Sequence, residues 1–364
     1  MSRLYLDHNA TSPLRPVARG ALDAILGEGR PLNAGSVHAE GQWARTRLER
    51  ARQMILDAAG WSGDELVFTA GATESNHLVI HALKGVVVSS RLEHPSVVNP
   101  LEKLEAVGLL ECRWVPHDGE GRHDTAALQD ILQGADHALV TAANNELGVV
   151  TDLAAWAGAC AVAGVPLHVD ASQVFGRLPL ELPDGVTSVT LSAHKAGGPV
   201  GVGALLLRGG RVVHPVLPGG HQERGRRPGT ENVAFAHAWA ELLRQREDRL
   251  WQGLAPVRDA FERRLETAGA RVLAKAAPRL PNTSSVEFPG GDAEEMLMLL
   301  DLAGIAASAG SACSAGSIDP SPVLLALPLG EEAARRVLRF SLGPEHVGLA
   351  GDDLGLRVLR ALDA

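Results

Sequence analysis

The sequence predicts an α/β protein: a large domain with a mostly parallel sheet covered by helices on both faces, plus a smaller α+β domain. Two observations carry this. From residue 65 to residue 207, short continuous apolar runs alternate with amphipathic helical stretches, the pattern of strands buried on both faces and joined by helices. From residue 253 onward that regular alternation gives way to a compact mixture of helices and strands. At 364 residues the chain is long enough for both units, expected at residues 13–252 for the large domain and 1–12 with 253–364 for the small one.

Residues 4–11 (LYLDHNAT) form a short extended piece ending in turn formers. Residues 16–26 place Val17, Ala21, Leu22 and Ile25 at helical spacing, and a long amphipathic helix over 39–59 is closed by Gly60. The strand at 65–69 runs straight into a small-residue turn and a helix. That junction leaves backbone N–H groups and a positive dipole end where an anion can sit, although many such turns bind nothing. Strands follow at 86–89, 111–115, 138–142 and 166–169, with helices at 97–107, 125–133 and 153–163. Strands ending at 191 and starting at 201 then flank the loop 192–199. Residues 215–230 make a glycine-rich cationic loop, followed by a helix over 231–249. The remainder predicts helices at 254–267, 292–302, 331–337 and 352–362, strands at 284–288, 305–307 and 338–341, and a small-residue loop at 308–317.

The composition is that of an ordinary globular chain, 45% hydrophobic and 21% charged. A net charge of −9 argues against nucleic acid as a partner. The densest basic cluster, Arg224, Arg226 and Arg227, suits a small anion better than a duplex. Three separated cysteines form no disulfide framework, no apolar run reaches membrane-spanning length, and no secretory signal pattern opens the chain. A cytoplasmic protein without membrane contact is expected. No Cys/His spacing matches a metal-ligand set, so no metal is expected.

In parallel sheets, ligands gather beyond the carboxyl ends of the strands. Those positions here hold Ala72 and Thr73, His94, Asn144 and Asn145, Asp170 and Gln173, and Ser192, His194 and Lys195. Such a polar set at one sheet edge describes a cofactor pocket. Lys195 stands out because only four of the 34 Lys and Arg residues are lysine, and it alone lies between apolar strands. An amine there is costly to keep charged, as a Schiff-base lysine requires. The alternative is an ordinary loop lysine. If Lys195 holds pyridoxal phosphate, a carboxylate must keep the ring nitrogen protonated, and Asp170 is placed for that unless it only caps a turn. Ala72, Thr73, Ser192, His194 and Thr230 could hold the phosphate. His94 could stack on the ring and move protons, or be structural.

The segments GATESN (71–76), EHPSV (93–97), NNELGVV (144–150), HVDASQ (168–173), SAHK (192–195), RPGTENV (227–233) and SAGSACSAGS (308–317), in this order and spacing, resemble the cysteine desulfurases (NifS/IscS-like). These belong to the class V aminotransferase superfamily of fold-type I pyridoxal-phosphate enzymes, and the similarity spans nearly the whole chain. The resemblance implies that Lys195 bonds the cofactor, Asp170 pairs with its ring nitrogen, and Gln173 and Asn145 hydrogen-bond around its phenolic oxygen. It implies that His94 is the stacking acid/base and that Ala72, Thr73, Ser192 and His194 hold the phosphate. Thr230 would reach the phosphate of a neighbouring subunit, so a homodimer is implied. Arg339, helped by Asn33 and Asn145, would bind the substrate carboxylate. Cys313, in a loop with little to pack, would take the sulfur of L-cysteine as a persulfide and release alanine, while Cys112 and Cys160 stay buried and inert. The stretch up to Pro328 is expected as one long loop that delivers sulfur to a protein acceptor, such as an iron–sulfur scaffold or a tRNA-thiolation enzyme. Ala34, Ala193, His221 and Pro228 depart from the residues usual in the family, which bears on geometry and rate. A related class V enzyme, a selenocysteine lyase or an aminotransferase, and a non-catalytic scaffold partner are the competing readings.

Overall fold

Among the described residues twelve strands form in chain order: β1 (Leu4–Tyr5), β2 (Glu65–Thr69), β3 (Gly85–Ser89), β4 (Leu110–Trp114), β5 (His137–Thr141), β6 (Leu167–Asp170), β7 (Val186–Ser192), β8 (Gly203–Leu207), β9 (Arg271–Val272), β10 (Thr283–Glu287), β11 (Ile305–Ala306) and β12 (Val337–Ser341). They belong to a computed structural model that describes residues 3–61, 65–210, 213–245, 248–310 and 320–363. Seven make one sheet in the order β2-β8-β7-β6-β5-β3-β4. All neighbours pair in parallel except β8, which runs antiparallel to both β7 and β2. The six co-directional strands therefore end at one edge, where loops carry the polar residues. β6 and β8 are buried along their whole length, as expected of a sheet covered on both sides.

Three apolar clusters show how the layers pack. One lies on one face of the large sheet and includes Phe68, Val169, Leu191, Trp156 and Trp239. A second fills the other face with Val67, Val87, Leu101 and Leu205. A third gathers Leu4 and Leu6 with Trp251, Phe261, Val286, Phe340 and Val358, so the start of the chain packs among residues of the last third. There β1 pairs with β11 in parallel, and β10 lies antiparallel between β9 and β12.

Three expectations change. The helix expected over 125–133 is a single turn, Leu128–Ile131, because Asp124 accepts from the N–H groups of Ala126 and Ala127 and holds the preceding residues in a turn. The helix expected over 231–249 ends at Arg244, and a short one follows at Asp248–Gln252. The stretch up to Pro328 is not one loop. Pro322–Ala326 is a helix, with Ser321 accepting from the N–H of Val323 and proline in the first turn. Cys313 lies outside the described residues. No helix among the described residues is long and apolar enough to cross a membrane.

Candidate active site

One cavity of about 740 Å³ opens at the carboxyl edge of the large sheet. Ala72, Thr73, His94, Asn145, Asp170, Gln173, His194, Lys195 and Arg339 line it. Nine of the residues singled out from the sequence thus converge, although eight come from the ends of five strands of the large sheet and Arg339 from β12. Ser192 is buried at the same edge but does not line the cavity, and Asn33 and Thr230 are exposed and lie away from its wall. The Asn33 side chain accepts instead from the N–H of Gly35 at 2.9 Å.

Lys195 sits in a single 3₁₀ turn after β7, where Ala193 and Gly197 bracket the bend. Ala193 has ordinary right-handed dihedrals and is buried, so alanine fits at this bend without strain. The Lys195 Nζ donates to the carbonyls of Asn9 at 2.7 Å and Ala10 at 3.0 Å. Asp170 ends β6, the neighbouring strand, and all its described hydrogen bonds come from donors: Asn76 Nδ2 at 2.8 Å, Ser172 N at 2.9 Å and Ser172 Oγ at 2.5 Å. That is the pattern of a carboxylate kept as an acceptor.

His94 caps the helix Pro95–Ala106, its Nδ1 accepting from the N–H of Ser96 at 3.0 Å. The accepting Nδ1 leaves the proton of a neutral ring on Nε2. Burial drives its pKa below the ordinary value, against the pull of Asp170 and with the push of Lys195 and Arg339. His194 is pushed down to about 4 by burial, Lys195 and Arg177, so it is neutral at pH 7. Its Nδ1 lies 3.1 Å from Thr11 Oγ1.

The helix Ala72–Ile80 starts at the cavity wall, and its N-cap, Gly71, brings no side chain to satisfy the first turn. Gly203 on β8 makes this approach possible: a Cβ there would stand 2.7 Å from the Gly71 Cα. Nearby, Ser192 Oγ is buried with no partner among the described residues. An open helix N-terminus, an orphaned hydroxyl and a buried carboxylate across from a lysine fit a planar, anionic cofactor such as pyridoxal phosphate.

Arg339 on β12 is buried, donating from Nη1 to the Asn145 carbonyl at 3.1 Å and from Nη2 to Asp7 Oδ1 at 2.7 Å, while its Nε has no partner among the described residues. Asp7, Asn9 and Ala10 escaped sequence reasoning; an apolar-polar pattern gives no sign that a short N-terminal segment reaches a site built from residues 70–339. The cationic loop also differs from expectation. Arg224 and Arg226 both pair with Glu65 and Arg227 with Glu74 at 3.0 Å, so these charges are matched by carboxylates. Arg226, Arg227 and Pro228 still line the cavity mouth. Glu223 holds this loop at a left-handed φ of 47°, buried, with both carboxylate oxygens 2.8 Å from the Arg52 fork. The fold also brings His8, Glu345 and His346 within mutual reach, which no spacing revealed. His8 Nε2 is engaged with Glu345 at 2.7 Å and His346 Nδ1 with the Gly343 N–H at 2.9 Å.

Cys160 is buried as expected but Cys112 is only partly buried, and both are poor nucleophiles. Burial pushes the Cys112 thiol up to about 12, with Glu105 adding to it, and the Cys160 thiol up to about 11.

The residues from 4 to 346 match the family model described as "Aminotransferase class-V". The chain belongs to the class V aminotransferase family. Among the similar proteins of this family is an "IscS-like cysteine desulfurase" of Mycobacterium tuberculosis, 37% identical, with 98% of this chain and 95% of that protein aligned. The solved NifS-like protein of Rickettsia africae superposes with a TM-score of 0.89 over the full length of both chains at 26% identity. A structure described as "SspA in complex with cysteine" superposes with a TM-score of 0.82 at 28% identity, covering 94% of this chain and 99% of that one. The class V assignment and the α/β architecture expected from the sequence both hold.

Glu93, which precedes His94, is buried; Oε1 accepts from the Thr141 N–H at 2.9 Å and Oε2 has no partner among the described residues. Burial pushes its carboxyl up to about 8, opposed by the Thr141 hydrogen bond and reinforced by Asp170. The native state therefore keeps a proton that the unfolded chain releases above the ordinary glutamate range. Folding stability contributed by Glu93 is full below pH 4.5 and is lost as pH rises towards 8, by on the order of several kcal/mol. Glu93→Gln mimics the neutral form, so denaturant titrations from pH 5 to 9 should show a flatter pH slope for the variant. An equal slope in both proteins would place the charge elsewhere.

Proposed function

We propose that the chain is a pyridoxal-phosphate-dependent L-cysteine desulfurase that converts L-cysteine to L-alanine and holds the released sulfur on Cys313 as a persulfide. The observation that carries this is the single cavity joining Lys195, Asp170, His94 and the open N-terminus of the helix Ala72–Ile80. The relatives' names and the cysteine-bound neighbour support the choice of substrate. Pyridoxal phosphate, when bound, supplies an electron sink that lets the carbon–sulfur bond of an attached amino acid break. Lys195 would hold it covalently, Asp170 would accept the hydrogen bond of its protonated ring nitrogen, and Gln173 and Asn145 would face its phenolic side. Ala72, Thr73 and His194 would hold its phosphate, together with Ser192 and, across a subunit interface, Thr230. His94 would carry a proton at Nε2, and Arg339 with Asn145 would take the substrate carboxylate. The transfer balances without an outside oxidant: the C–S bond breaks, an S–S bond forms at Cys313, and carbon gains the electrons that sulfur loses.

The exposed apolar side chains Val200 and Leu217 at the cavity mouth support a homodimer. The persulfide would pass to a protein acceptor in a reducing cytoplasm, such as an iron–sulfur scaffold or a tRNA-thiolation enzyme. Incubation of the cofactor-loaded protein with L-cysteine tests the reading. With a thiol reductant present to free the persulfide, alanine and sulfide should form together; alanine with neither sulfide nor a sulfur adduct on Cys313, or transamination with a keto acid, would overturn it. Asp170→Ala should keep the visible band of lysine-bound cofactor and lose turnover by about a hundredfold or more. Full activity there would remove the electron-sink argument.

A further inference from the structure

Directly behind Lys195 lies a cation that neither the cavity wall nor the sequence motifs account for. Arg177 is 1% exposed, and among the described residues its hydrogen-bond acceptors are four carbonyl oxygens and no carboxylate. Nε donates to the Lys195 carbonyl at 2.7 Å, Nη1 to Asn9 Oδ1 at 3.0 Å and Gln173 Oε1 at 2.8 Å, and Nη2 to the His8 carbonyl at 2.5 Å. The guanidinium also lies over the Trp251 ring, 4.8 Å from its centroid. A buried cation without a counter-ion is costly, and four aligned carbonyl dipoles are what makes it tolerable.

Each of those acceptors belongs to something that touches Lys195 or the cofactor cavity. The Lys195 carbonyl takes two hydrogen bonds, from Arg177 and from Ser12 Oγ at 2.7 Å. His8 and Asn9 belong to the segment whose Asn9 and Ala10 carbonyls receive the Lys195 amine. Gln173, with Oε1 fixed by Arg177, is left to present Nε2, which donates to the Asn9 carbonyl at 3.1 Å. Gly176 makes the placement possible. At φ 78° it turns the chain beneath the lysine loop, and a Cβ there would stand 2.8 Å from the Ala196 Cβ.

The geometry points to Arg177 as a positioning residue: its guanidinium pins the backbone of Lys195, the 8–10 segment facing the lysine amine, and the amide of Gln173 as one unit. The assignment rests on the proposed function only in taking Lys195 as the cofactor-bearing amine. Two consequences separate it from a purely structural arginine. The fork fixes two backbone segments that are distant in sequence, and the charge lies close enough to the site to depress the pKa of His194.

Arg177→Met and Arg177→Lys, each beside wild type, test both consequences. In cofactor-free protein, Arg177→Met should speed amide hydrogen exchange over residues 8–12 and 193–198 by about tenfold, while β5 and β6 keep wild-type protection. In protein loaded with pyridoxal phosphate, the pH midpoint of the visible band should rise by about one unit in Arg177→Met, because a nearby positive charge is gone. Arg177→Lys keeps a charge but not the fork, so it should restore most of the midpoint and little of the exchange protection. A folded variant with wild-type exchange and wild-type midpoint overturns the assignment. If Arg177→Met does not fold, unchanged exchange over 8–12 and 193–198 in Arg177→Lys overturns it alone. A wild-type protein that gains no visible band refutes the proposed function, and the exchange measurement still decides the role of Arg177.

Discussion

Lys195→Ala protein mixed with pyridoxal phosphate should show no visible band of lysine-bound cofactor and should turn over L-cysteine about a thousandfold or more slowly than wild type. The expectation follows from how few amines could substitute. Of the four lysines, only Lys195 lines the cavity, and Lys275 is engaged on the surface with Glu266. Removing the amine leaves the Asn9 and Ala10 carbonyls without their donor but keeps Asp170 and the helix N-terminus in place. The cofactor should therefore still associate, as free aldehyde that dialysis removes. A variant with the wild-type spectrum would show that the covalent attachment lies elsewhere, and with it the chemistry assigned to the cavity.

Cys313→Ser should separate binding from sulfur transfer. The variant should take up L-cysteine and perturb the cofactor spectrum as wild type does, yet release no sulfide and show no one-sulfur gain in mass. Wild-type protein treated with L-cysteine should carry that added sulfur on the peptide containing Cys313. The two remaining thiols offer no bypass, since burial holds Cys112 and Cys160 near 12 and 11, far above neutral pH. Normal sulfide production by Cys313→Ser would overturn the persulfide assignment and favour a lyase that frees sulfur directly.

The parts of the site that were legible in the sequence are those lying just past a strand. A continuous apolar run fixes where a buried strand ends, and in a parallel sheet those ends meet, so Asp170, His94, Asn145 and Lys195 fall into one group on sequence alone. What could not be read were partners brought in from other parts of the fold. Asp7 meets Arg339 across 332 positions, and Arg177 meets Asn9 across 168. Neither pairing leaves a local pattern, and Arg177 in particular looks like any of the chain's many surface arginines. Short elements were the other blind spot. The helix Pro322–Ala326 is too brief for periodicity to declare itself, though its Ser-Pro start was visible.

The segment at residues 7–10 gives the site an order of assembly. It touches Lys195, Gln173 and Arg177 on one side and Asn282, Thr283, Arg339 and Ser341 on the other. A ribosome that has finished the large sheet has supplied the lysine and the aspartate, but the arginine that meets Asp7 emerges more than 140 residues after Lys195. Completion of the site thus waits until Arg339 has emerged and met Asp7.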